Sequence, residues 1–159
     1  MGEANRRDDR NVSKPCSSIN GIPNQAGNNK VNGLNEHRKA NKLLAQGSQE
    51  DIAAARSLLQ KKHLRHSLFF AHLALEKMLK AFVVRQTNEI PPYIHNLVRL
   101  VEIAKLNIGP ERLDFLRKFN IFQLEGRYPD YTPGPLDIKI ARERLSEAEE
   151  TLKWLTDQF

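Results

Sequence analysis

The chain has 159 residues, with 25 lysines and arginines against 19 aspartates and glutamates, for a formal net charge of +6. A single cysteine, Cys16, excludes a disulfide framework and a cysteine-based zinc site. No apolar run has the length to cross a bilayer and the N-terminus lacks the hydrophobic core of a secretory signal, so a cytoplasmic protein with no membrane role is expected.

Residues 1–34 are dominated by Asn, Gly, Ser and Pro, and Val12, Ile19, Ile22 and Val31 stand isolated without period. Such a segment buries too little apolar surface to offset the entropy of ordering it, and a disordered tail is expected there. The remainder, 35–159, reads as one helical domain. A short helical segment, Asn35–Ala45, is expected to end at Gly47. Ser48 then supplies an N-cap, with Asp51 in the capping-box position, for a helix from Gln49 to about Gln60 striped by Ile52, Ala55 and Leu59. That stripe falls out of phase with the next apolar set, which places a tight turn at Lys61–His63.

The second long helix runs from Leu64 to about Arg85. Leu64, Leu68, Ala71, Leu75, Met78 and Phe82 recur at steps of three and four, the period of a buried helical stripe. Glu76 and Lys80 interrupt this apolar run one turn apart, in the order that favours an ion pair on one face. Pro91-Pro92 forbids helix before it and makes a stiff extended connector. A third helix follows from His95 to about Leu106. Gly109-Pro110 starts a fourth, which runs to about Glu125 with Leu113, Leu116, Phe119 and Phe122 inward. Gly126–Pro135, stiffened by Pro129, Pro133 and Pro135, is a loop, and Leu136–Asp157 is the last helix. With no alternating strand pattern, the fold class is all-α, an up-and-down helical bundle of four to five helices.

The usual enzyme signatures are missing: there is no glycine-rich phosphate loop, nucleophile elbow or His-Glu-x-x-His pair. His63, His66 and His72 cluster without carboxylate or cysteine partners, so they read as partly exposed helix residues, and no metal or cofactor is expected. Six cations between Lys61 and Arg85 face one acid, Glu76, while Glu143, Glu147, Glu149 and Glu150 crowd the C-terminal segment. This asymmetry suits a polyanion or a matched bundle face, but a solvated surface explains it as well.

Two places hold chemistry. Around Tyr93-Ile94-His95-Asn96, His95 or Asn96 either caps the third helix or helps its N-terminus hold a phosphate. In Leu124–Tyr131, Arg127 and Asp130 are three apart in a proline-stiffened loop that also carries Tyr128 and Tyr131. They form either a salt-bridged loop or an Arg that grips a phosphate while a tyrosine stacks on a base.

Three elements together carry a resemblance: the run Phe69–Ala81 containing Glu76-Lys77-Met78-Leu79-Lys80, then Pro91-Pro92 with His95-Asn96-Leu97-Val98-Arg99-Leu100, then Gly126-Arg127-Tyr128-Pro129-Asp130. In this order they resemble the HEPN family (higher eukaryotes and prokaryotes nucleotide-binding domain), in its small prokaryotic type with an Arg-Tyr-Pro-Asp loop. The resemblance implies a helical bundle, a homodimer, and pairing with a minimal nucleotidyltransferase in toxin–antitoxin-like systems. Many members are metal-independent ribonucleases marked by an Arg followed about four to six residues later by a His, the His moving a proton and the Arg stabilising phosphate charge. Here Arg127 is followed by Tyr-Pro-Asp-Tyr-Thr-Pro, and no histidine occurs after His95.

The expected function is binding of a nucleotide or RNA. Arg127 would contact phosphate, His95 would add a polar contact, and Lys80 with Glu76 would organise the pocket. The alternatives are a ribonuclease toxin using Arg127 with His95 or Asp130, and a non-catalytic dimerising subunit.

Overall fold

The computed structural model describes the backbone of residues 25–125 and 136–159, and the side chains of 37–124 and 136–159. The helices are α1 (Gln25–Gln60), α2 (Leu64–Thr87), α3 (Leu97–Ile103), α4 (Pro110–Phe119), α5 (Ile121–Glu125) and α6 (Ile138–Gln158). The architecture is all-α, as the sequence implies. α2 is the spine: it packs on α1, α6, α3 and α5, and from Ser67 to Val84 most of its side chains are buried. A helix covered nearly all round must be apolar nearly all round. That explains why Leu68, Ala71, Leu75, Met78 and Phe82 are joined in the core by Ala74, Leu79 and Val83.

α1 corrects the helix boundary expected at Gly47 and Ser48. It starts at Gln25, inside the segment expected to be a tail, while residues 1–24 lie outside the described residues. It also runs unbroken through Gly47 and Ser48. Ser48 is fully buried and gives its hydroxyl to the Ala45 carbonyl at 2.7 Å, within the helix. Asp51 takes Lys77 of α2 at 2.7 Å rather than closing a cap. Gly47 is where Lys77 crosses: a Cβ there would lie 3.3 Å from Lys77 Cδ and Nζ. The glycine makes room for a neighbour and does not end the helix.

The turn expected at Lys61–His63 is present. The His63 N–H bonds to the Leu58 carbonyl at 2.9 Å and the Lys62 N–H to Leu59 at 3.0 Å, the paired bonds of a Schellman cap. Lys62 sits at φ 63°, where glycine is the usual occupant. Ser67 Oγ then donates to the Ala55 carbonyl at 2.8 Å, fastening α2 antiparallel on α1.

The third helix is shorter than expected and starts later, because Asn96 is its N-cap and accepts from the Arg99 N–H at 3.0 Å. The expected fourth helix is two. The break is at Asn120, whose Oδ1 accepts from the Leu97 N–H at 2.8 Å. Asp137 caps α6 by accepting from the Ile140 N–H at 2.8 Å, and Ala141, Leu145, Ala148, Leu152 and Leu155 face inward. Arg56–Glu149 and Gln49–Thr156 contacts set α6 antiparallel to α1, hence parallel to α2. Among the described residues, no helix is long and apolar enough to cross a membrane.

Candidate functional site

A polar cluster lies against the core on the middle of α2. Glu76 and Lys80 share one helix face by their i, i+4 spacing, and Lys80 Nζ lies 2.8 Å from Glu76 Oε1. Glu76 is 5% exposed, and an unpartnered carboxylate at that depth would cost several kcal/mol, so it needs more than one donor. The second comes from outside the helix. The segment between α2 and α3, held extended by Pro91-Pro92, brings His95 back over α2. His95 Nδ1 then lies 3.0 Å from Oε1 and 3.1 Å from Oε2 of Glu76. Asn96, anchored as the cap of α3, fixes the backbone next to it.

The chemistry follows from these contacts. A carboxylate salt-bridged to lysine only accepts, so Nδ1 carries the proton that meets it. In a neutral ring the lone pair then belongs to Nε2, on a side chain that keeps 39% exposure. Lys80 is 14% exposed beside it. The cluster therefore offers an oriented imidazole and an ammonium at the surface, with the balancing carboxylate beneath. Behind them, His72 is fully buried with Nδ1 3.8 Å from Glu76 Oε2. Among the described residues, no group of three or more His, Cys, Asp or Glu side chains is placed to hold a metal ion.

The Glu76–Lys80 pair and His95, 19 residues beyond Glu76, are thus brought together. Arg127, Tyr128, Asp130 and Tyr131 lie outside the described residues. In sequence they fall between α5, which packs on α2, and α6. Of the two roles open at the start of α3, the cap is the one realised, and by Asn96. Two of the donors the phosphate alternative would use there, the Leu97 and Arg99 N–H groups, are taken by Asn120 and Asn96. His72 corrects another expectation: it is core, not a partly exposed helix residue. The signal was its spacing, one turn before Glu76 in an apolar run. His63 and His66 are exposed and meet edge to face at 6.3 Å.

The model of the HEPN domain family matches residues 41–158. Among solved structures, the fold is similar to TT1696 from Thermus thermophilus, with a TM-score of 0.65 and 17% identity over 75% of this chain and 98% of that one. It is also similar to ST0689, an archaeal HEPN homologue, with a TM-score of 0.60 and 20% identity over 74% and 96% of the two chains. No curated protein matches. The matched segment covers most of the chain and contains the Glu76–Lys80–His95 cluster, and the protein belongs to the HEPN domain family.

Proposed function

We propose that the protein binds the phosphate of a nucleotide or an RNA strand at the Glu76–Lys80–His95 cluster. In this reading Arg127 grips the phosphate, Asp130 orients Arg127, and Tyr128 or Tyr131 stacks on a base. The observation that carries it is the contact of His95 Nδ1 with both Glu76 oxygens, at 3.0 and 3.1 Å, which fixes the ring and leaves Nε2 for a ligand. The protein works as a homodimer and with a minimal nucleotidyltransferase partner in a toxin–antitoxin-like system; family membership supports that pairing. The test is fluorescence anisotropy with a labelled single-stranded RNA. Arg127→Ala and His95→Ala each weaken binding by about tenfold or more, the scale of a lost charge-assisted contact. Unchanged affinity in both variants removes the site.

A second reading is favoured by the same contact. A histidine whose Nδ1 is held by a carboxylate is oriented for proton transfer, as in a metal-independent ribonuclease. RNA incubated with the protein in chelator is then cleaved, and His95→Ala abolishes cleavage. Intact RNA after prolonged incubation with wild type rules this reading out.

A further inference from the structure

At the other end of the bundle, the C-terminal turns of α2 and α6 meet the connector between α3 and α4 around a cleft of about 270 Å³. Its polar lining is one-sided: Arg85, Gln86, Lys105, Asn107 and Gln158, with Trp154 beside them and no carboxylate. At about 3.6 residues per turn, the step from Glu76 to Arg85 is close to a half-integral number of turns, so the cleft faces away from the His95 cluster. The sites are separate.

Three features make the cleft specific. Several cations elsewhere on this surface are matched: Arg99 with Glu102, Arg117 and Lys118 with Asp114, Arg144 with Glu147. Lys105 has no ion-pair partner among the described residues. It also occupies φ 52°, a left-handed position at the end of α3, fixed by the Lys105 N–H bond to the Glu102 carbonyl and that of Leu106 to Val101, both 3.1 Å. Arg85 is held in place: it donates to the main-chain oxygen of the terminal residue Phe159 at 2.6 Å and stacks 5.7 and 5.5 Å from the Phe82 and Phe159 ring centres. Trp154 supplies a planar wall, steadied by Arg112 at 4.9 Å from its ring centre.

We propose that this cleft binds a small ring-bearing organic anion, its carboxylate or phosphate on Lys105 and Arg85 and its ring against Trp154. The carboxamides of Gln86, Asn107 and Gln158 supply neutral hydrogen bonds around it. The volume lies just under the roughly 300–1,000 Å³ usual for ligand pockets, so the occupant is compact. A folded nucleic acid does not enter a cleft of this size.

Trp154 is the only tryptophan in the chain, so its emission reports occupancy directly. Phenyl phosphate, benzoate and inorganic phosphate are titrated separately into the full-length protein. A saturable change with a ring-bearing anion, and a weaker one or none with inorganic phosphate, is the expected result. A response to only one of the first two identifies the headgroup. Lys105→Gly removes the ammonium while suiting the positive φ, so it folds at least as well as wild type. It weakens binding by about tenfold, as for a lost charge-assisted bond. His95→Ala leaves it unchanged. No saturable response in wild type overturns the proposal, as does undiminished binding by Lys105→Gly or loss of binding in His95→Ala.

Discussion

His95 Nδ1 lies 3.0 and 3.1 Å from the two carboxylate oxygens of Glu76, a residue only 5% exposed. One buried acid thus fixes both groups of the candidate site, Lys80 within its own helix and His95 from the segment before α3. The site's geometry and the stability of α2 rest on the same side chain.

Glu76→Ala leaves the Lys80 ammonium largely buried without its partner, and releases His95. The expected loss is about 2–4 kcal/mol, near the range for breaking a buried pair. Glu76→Gln keeps the shape and an acceptor oxygen, so it costs less. Urea denaturation of the two variants reads the difference; equal losses would assign the whole effect to the lost charge, since glutamine keeps the packing.

Asn120 separates α4 from α5 because its side chain serves α3. Its Oδ1 accepts from the Leu97 N–H at 2.8 Å, next to the Asn96 cap. Asn120→Ala orphans that N–H and costs about 1–2 kcal/mol, the scale of a lost cap. Faster hydrogen exchange at the Leu97 amide accompanies the loss, with exchange in α6 unaltered.

Lys62 holds φ 63° in the turn between α1 and α2. Replacement by glycine removes the steric penalty of a side chain there, about 1–2 kcal/mol per residue, less the extra entropy glycine loses on folding. Lys62→Gly therefore raises the thermal midpoint. A lowered midpoint would show that the lysine side chain makes a stabilising contact of its own.

The Asp114 carboxyl is held below its ordinary value of 3.8, first by a hydrogen bond from the Lys118 ammonium and further by Arg117. A depressed folded-state value contributes stability above the unfolded value, lost as the pH falls through the folded one. The window is therefore acidic, below about 3.8, and the contribution is small because the pair is exposed to solvent. Carboxyl NMR titration finds the Asp114 midpoint low in wild type and shifted up toward 3.8 in Lys118→Ala.

Local pattern was enough to read α2 and much of the site. The stripe from Leu68 to Phe82 is buried, Glu76 and Lys80 pair as their spacing implies, and the turn at Lys61–His63 was visible as a phase shift without glycine or proline. What escaped depends on partners distant in sequence. Gly47 and Ser48 look like a helix boundary until Lys77 is seen lying across the glycine. Asn120 breaks a helix only because Leu97 offers it an N–H. The junction of His95 with Glu76 is set by the path of the chain through Pro91-Pro92, which no period records.

The central claim is that Glu76 orients His95 to present Nε2 to a phosphate-bearing ligand. The direct measurement is the ¹⁵N spectrum of the histidine rings during titration with a single-stranded RNA oligonucleotide. The predicted result is a His95 ring protonated at Nδ1 before addition, and an Nε2 resonance that moves saturably with ligand. A ring protonated at Nε2 in the free protein, or an Nε2 signal that stays fixed through saturation, contradicts it.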